Sequence, residues 1–152
     1  MSLESVKNDF KIKNADIEIF KLGESGATVE EAAHTIGVDA DSIAKTLALH
    51  LDENVIIIVM SGSSRIDNKK YRDTFHAKAK MISFDEVEPL TGHPVGGLCP
   101  FGLNGDPKVY LDNSLRKHEY VYPAAGSPFY AFKIKTDTIE ELTGAKWVDI
   151  SK

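Results

Sequence analysis

The chain holds one cysteine, Cys99. No disulfide can form within it, which suits a reducing compartment, and no cysteine cluster is there to bind metal. The histidines (His34, His50, His76, His93 and His118) show no His-x-x-x-His spacing, so no zinc site is expected. Phosphate-loop, dinucleotide and Gly-x-Ser-x-Gly signatures are all missing, and no cofactor is expected. The longest apolar run, Val55-Ile56-Ile57-Ile58-Val59-Met60, is far too short to span a bilayer. No basic segment leading into an apolar stretch opens the chain as a secretory signal would. The expected location is therefore the cytoplasm, with no membrane partner. Positive charge is outnumbered, 18 Lys and Arg against 23 Asp and Glu. A net charge of −5 argues against coating DNA or RNA through a global basic surface.

What is present describes a globular domain. The 152 residues, 42% hydrophobic and 27% charged, make one ordinary domain, 1–152, able to bury a core without staples. Val6 and Phe10 lie at helical spacing within 3–13, and Ile17 and Ile19 alternate with Glu18 and Phe20 like a short strand. Thr28 and Glu31 form a capping box for a helix that Gly37 stops near Ile36. Ile43 to Leu51 and Val55 to Met60 read as strands joined by a turn. Asp67–Phe75 reads as a helix, Ala79–Ser83 as a strand, and Phe84–Leu90 as a helix capped by Ser83. Further strands are expected at Lys108–Leu111, Tyr120–Tyr122, Phe129–Lys135 and Lys146–Ile150. A helix capped by Thr136 or Asp137 ends at Gly144. The irregular interleaving predicts a single α/β domain on a mixed, partly antiparallel, barrel-like sheet with flanking helices.

Residues Gly92-His93-Pro94-Val95-Gly96-Gly97-Leu98-Cys99-Pro100-Phe101-Gly102 carry four glycines and two prolines. They can propagate neither a helix nor a central strand. Val95, Leu98 and Phe101 anchor the run, so bare backbone is brought against a ligand or another backbone. A plain structural turn is the competing reading. Lys45 falls in the same row as Ile43, Leu47, Leu49 and Leu51. It either snorkels at the strand end or offers a cation to a phosphate or a developing oxyanion. Ala125-Gly126-Ser127-Pro128 is a second small-residue turn, either ordinary or the other wall of a pocket. From Arg65 to Lys80 lies the one basic island (Arg65, Lys69, Lys70, Arg72, Lys78, Lys80), a solvated helix face or a nucleic-acid contact. Cys99 and His93 raise a thiol nucleophile, although no charge near Cys99 obviously lowers its pKa.

In order and spacing these stretches resemble the YbaK-type aminoacyl-tRNA editing family, related to the editing insertion domain of bacterial prolyl-tRNA synthetase. The resemblance rests on Thr28-Val29-Glu30-Glu31-Ala32-Ala33 with Gly37-Val38, Ile43-Ala44-Lys45-Thr46-Leu47, and Ser61-Gly62-Ser63-Ser64-Arg65-Ile66-Asp67. It continues through the glycine-rich loop, Val109-Tyr110-Leu111-Asp112, Ala125-Gly126-Ser127, and Val148-Asp149-Ile150, about 17–150 in all. It implies a deacylase that hydrolyses, in trans, the ester of a mischarged tRNA. A tRNA for proline carrying a small wrong residue such as Cys or Ala is the expected substrate.

The resemblance also implies a functional lysine, here Lys45, and a Gly-x-x-x-Pro loop, here Gly96 to Pro100. On this reading Lys45, Gly96 and Gly97 are the candidate catalytic residues, with the glycine N–H groups orienting the ester carbonyl. His93, Cys99, Pro100, Ala125, Gly126 and Ser127 are the candidate substrate-binding residues. Arg65, Lys69, Lys70 and Arg72 are candidates to meet the tRNA acceptor end, and a synthetase is a candidate partner. A non-catalytic aminoacyl-adenosine-binding module, a small-molecule esterase and a Cys99 thiol enzyme stand as alternatives.

Overall fold

The computed structural model describes residues 2–152. Its frame is a hairpin. Strands β2 (Ala44–Leu51) and β3 (Asn54–Ser61) pair antiparallel from Ala44↔Ser61 to Leu51↔Asn54. The turn between them holds Asp52 at φ 55°, a conformation Asp tolerates better than most residues. Strand β4 (Lys108–Asp112) joins parallel to β3, and β8 (Lys146–Val148) parallel to β4, giving the order β2-β3-β4-β8. Two small antiparallel sheets flank it: β1 (Ile19–Lys21) with β6 (Tyr130–Phe132), and β5 (Tyr120–Val121) with β7 (Ile134–Lys135). The chain is thus a mixed α/β domain. Among the described residues its strands form these three sheets rather than one closed barrel.

β3 is buried on both faces, as its unbroken apolar run requires. Ile56, Ile58 and Met60 pack with Leu49, Tyr71 and Ile150 on one side. Ile57 and Val59 face the other, toward Ala48 and Val87 and toward Phe101, Leu111 and Phe132 respectively. Helix α3 (Asn68–Phe75), capped by the Asp67 carboxylate, covers the first face through Tyr71. Helix α4 (Phe84–Thr91) has the capping box of Ser83 and Glu86 and covers the second through Val87. Helix α2 (Val29–Ile36) is capped by Thr28 and closed by Gly37 at φ 85°. Helix α1 (Ser2–Ile12) sets Phe10 edge-on to Phe101 and Phe132, with centroids 4.8 and 5.1 Å apart. The Asp9 carboxylate accepts from Gly102 N–H at 2.8 Å. At Gly102 a Cβ would lie 2.7 Å from the Ser5 carbonyl carbon, so α1 seats directly on bare backbone.

Four local expectations change. Residues 79–83 form no strand. They touch β2 through one bridge, Leu49↔Met81, and the bonds His50 N–H to Lys80 O and Ile82 N–H to Ala48 O. The predicted strand 129–135 breaks at Lys133, because its halves pair with different partners. The turn expected at Asp112-Asn113-Ser114 is a 3₁₀ turn over Asn113–Lys117, and another, unanticipated, occupies Ala40–Ser42. Helix α5 (Thr136–Thr143) has Lys135 at its cap position, and the Thr136 hydroxyl donates instead to His118 O at 2.8 Å. Among the described residues no helix is long and apolar enough to cross a membrane.

Asp112 locks the C-terminal end of this frame. It is fully buried and accepts from Ile150 N–H at 2.8 Å and Ser114 N–H at 2.9 Å. Burial raises its pKa, but these bonds outweigh burial and hold it below the usual carboxylate value. Asp112→Asn places an amide donor against one of two N–H groups and should cost about 2 kcal/mol, read as a lower urea midpoint with an unchanged slope.

Candidate active site

The outer edge of β2 is covered at both ends and open between them. Near its start, Ala44 N–H donates to Tyr122 O at 3.1 Å. Toward its end, Ile82 N–H donates to Ala48 O at 3.1 Å and His50 N–H to Lys80 O at 2.8 Å. An antiparallel strand turns each residue's N–H and C=O to the same side, alternating along the chain. Ala44, Ala48 and His50 face outward, so Thr46 does too. Its backbone groups have no partner among the described residues.

A cavity of about 230 Å³ opens at this gap. Val29, Ala32 and Ile36 of α2 form one wall, and Phe84 and Val87 of α4 another. Val95, Gly96 and Leu98 of the glycine-rich loop, with residues 122–124 and 130–131, complete it. The lining is mainly apolar. Only Thr28, Lys45, Thr46, Tyr122 and Tyr130 bring a side-chain oxygen or nitrogen, and no Ser, Cys, His, Asp or Glu is among the lining residues.

Lys45 lies at this cavity, half-buried. Its ammonium donates to Ser64 O and, at 3.4 Å, to Gly62 O. Burial lowers its pKa, the positive Arg65 lowers it further, and Glu30 opposes both. The carbonyls that hold it belong to a braced loop. The Ser61 hydroxyl lies 2.6 Å from the Ser64 hydroxyl and donates to Asp41 Oδ1 at 3.0 Å. Asp41 Oδ2 meets His118 Nε2 at 2.7 Å and Lys117 Nζ at 3.0 Å. Any side chain at Gly62 would run into Ala40 O.

The glycine-rich loop divides its work. Gly96, at φ 86°, lines the cavity, and a Cβ there would sit 2.9 Å from Ala27 Cβ. Gly97 packs on backbone: a Cβ would come within 2.6 Å of Ser127 N, and its N–H is taken by Pro94 O at 2.9 Å. His93 is fully buried, and its Nε2 lies 2.7 Å from Phe101 O. A carbonyl only accepts, so that nitrogen carries the proton. Burial lowers the His93 pKa more than this bond raises it, so the ring is a neutral staple between the loop's ends. Cys99 is buried in the core, and desolvation pushes its thiol up to about 12, the opposite of an activated nucleophile. Pro100 borders a separate groove beside α1. Ala125 is a core residue, Gly126 lies against Ser2 O, and the Ser127 hydroxyl accepts from Phe129 N–H at 3.1 Å.

Of the candidate residues, then, Lys45 and Gly96 meet at the cavity, while Gly97, His93, Cys99, Pro100, Ala125, Gly126 and Ser127 do not line it. The basic island is split as well. Arg65 acts on Lys45, whereas Lys69, Lys70 and Arg72 ride on α3, which packs on the sheet face that carries Leu49 and Ile58. Lys69 pairs with Asp73, and Lys70 with Asp149 and Ser151 O. Sequence reasoning missed Thr46 and Phe84. Thr46 lay within a quoted motif but was masked by its ordinary β-strand character. Phe84, 80% exposed at the cavity wall, could have been flagged as an apolar residue at the first position after a helix cap.

Fold and cavity together define a small α/β domain with a mainly apolar pocket, a tethered lysine and no acid–base pair in its lining. The chain belongs to the aminoacyl-tRNA editing domain family, whose profile matches residues 23–142. It is 46% identical over 154 residues to the uncharacterized protein YwhH of Bacillus subtilis (strain 168), covering all of this chain and 98% of that one. It is 26% identical over 88 residues to a proline–tRNA ligase of Bacillus cereus (strain AH820), covering 57% of this chain and 16% of the ligase. A solved structure described as a candidate trans-editing enzyme for prolyl tRNA synthetase superposes with a TM-score of 0.91. It is 27% identical and covers 99% of this chain and 97% of the other.

The bracing of the lysine loop is open to test. Burial raises the Asp41 pKa, but the bonds from His118, Lys117 and Ser61 prevail and bring it to about 2. A carboxyl lowered on folding stabilises fully above its unfolded value near 4, and that contribution is lost as pH falls toward 2. A quarter of the side chain remains exposed, so Asp41→Asn should cost about 1–2 kcal/mol at pH 7. The difference between variant and wild type should shrink as denaturation is measured from pH 5 down to pH 2.

Proposed function

We propose that this protein hydrolyses, in trans, the ester that joins a wrong amino acid to the terminal adenosine of a tRNA. The observation that carries the reading is the cavity at the β2 edge. Its lining is mainly apolar, includes Lys45, and holds no carboxylate to pair a cationic substrate. Membership of the aminoacyl-tRNA editing domain family supports the same substrate class.

An aminoacyl ester is already activated, so the protein mainly has to orient it and stabilise charge. Water attacks the carbonyl carbon, the carbonyl oxygen takes up negative charge, and the ribose oxygen leaves with a proton. Gly96 N–H, with no partner among the described residues, is a loop donor free to meet that oxygen. Lys45 can release its carbonyl partners for a phosphate or ribose oxygen at the 3′ end, because neutral acceptors hold an ammonium less tightly than a carboxylate does. The proton acceptor is then water or the substrate itself, since the lining contains no carboxylate or imidazole. Synthetase pockets reject a slightly different apolar side chain poorly, so a second sieve is useful. The likeness to proline–tRNA ligase and to the candidate trans-editing enzyme favours a tRNA for proline, and the wrong amino acid proposed is a small one such as Ala or Cys. On this reading the protein works in the cytoplasm, binds the tRNA acceptor end, and has the synthetase as a natural partner.

Deacylation of a panel led by alanyl- and cysteinyl-tRNA for proline tests this. Wild type should turn over at least one member, and Lys45→Ala should lose on the order of a hundredfold or more, as expected for a lost charge-stabilising group, with its circular dichroism unchanged. Cys99→Ala should keep wild-type turnover. A Cys99→Ala variant that is folded but inactive would restore the thiol reading.

A further inference from the structure

Three buried side-chain polar atoms lack a partner among the described residues: Thr46 Oγ1, Tyr71 OH and His93 Nδ1. Only Thr46 lines the cavity. A buried hydroxyl without a partner is destabilising, and valine would fill the same space in an apolar wall at no such cost. Two of the other polar side chains of the lining are already engaged. Thr28 Oγ1 caps α2, and Lys45 Nζ is held by Ser64 and Gly62. Thr46 also turns its backbone N–H and C=O into the gap between Tyr122 and Ile82. One residue thus offers a hydroxyl, a donor and an acceptor at the edge of a strand that is paired on either side of it.

We infer that Thr46 is the docking point for the backbone of the aminoacyl group, reading its α-amino nitrogen and ester carbonyl rather than its side chain. The α-amino group donates to Thr46 C=O and to the Thr46 hydroxyl. Thr46 N–H donates to the ester carbonyl, extending the β2 edge by one short rung, as strand addition does for peptides. The side chain of the amino acid then enters the apolar part of the cavity among Val29, Ala32 and Ile36. This rests on the deacylase reading and adds to it a requirement for a free α-amino group, independent of which amino acid is removed.

The test compares wild type, Thr46→Val and Thr46→Ser on alanyl-tRNA and on N-acetylalanyl-tRNA, with thermal melting of each variant. Binding of the amide-linked analogue 3′-alanylamino-3′-deoxyadenosine is measured alongside. Wild type should prefer the free amine. Thr46→Val should lose about ten- to a hundredfold in kcat/KM on alanyl-tRNA, leave the slow N-acetyl rate unchanged, and weaken analogue binding about tenfold. Its melting temperature should stay level or rise, since an orphan hydroxyl has been removed, and Thr46→Ser should recover most of the activity. A Thr46→Val enzyme that matches wild type on alanyl-tRNA overturns the inference. So does one that loses both substrates equally, or one that melts lower in proportion to its lost activity. Wild type that binds the analogue but hydrolyses neither ester removes the deacylase reading, and the effect of Thr46→Val on binding then decides the docking role by itself.

Discussion

The outer edge of β2 is the constraint on which the rest of the molecule turns. An edge strand presents unpaired N–H and C=O groups that must be covered or managed. Here residues 80–82 cover one end and Tyr122 the other, each by a bond or two. The stretch between them is walled by side chains instead, so backbone polar groups look into an apolar cavity. The helices are placed to serve that arrangement. α2 stands over the cavity on the cap built by Thr28, and α4 closes it through Val87.

The lysine depends on a second, polar construction. From Asp41 the bonds run to Ser61, to Ser64 and so to the carbonyls that hold the Lys45 ammonium. Asp41 is itself fixed by His118 and Lys117. A carboxylate one step closer would pair with the lysine and hold it. Carbonyls satisfy the ammonium without neutralising it, which leaves its charge available to an anionic ligand. The 3₁₀ turn at Ala40–Ser42 brings Asp41 to the loop, and the turn at Asn113–Lys117 carries Lys117 and leads into His118.

Local chemistry made much of the fold legible. Caps at Thr28 and Ser83, glycines at 37 and 144, and the apolar run in β3 each act within a few residues. Where pairing was non-local the reading blurred. Residues 79–83 have strand-like composition, yet they meet β2 over only two bonds and one bridge. The break at Lys133 arises because the residues before it pair with β1 and those after it with β5. At the candidate site, Lys45 could be found because a charge in an apolar row is conspicuous. Thr46 could not, since a threonine in a strand is unremarkable until its neighbours are known to leave it without a partner.

By itself the sequence determined the α-helices and most of their caps, the buried hairpin, the impossibility of an internal disulfide, and the membership that its ordered motifs carry. These follow from near-neighbour spacing, which is written directly in the chain. Only the tertiary structure decided which parts of the glycine-rich loop face a cavity. Gly96 and Gly97 are adjacent and chemically identical, yet one borders the pocket and the other lies on the backbone of Ser127. It also decided that Cys99 is a core residue and that Asp41 reaches the loop of Lys45. Burial and long-range hydrogen bonding depend on how segments far apart in sequence pack. No property of a residue or its immediate neighbours carries that information.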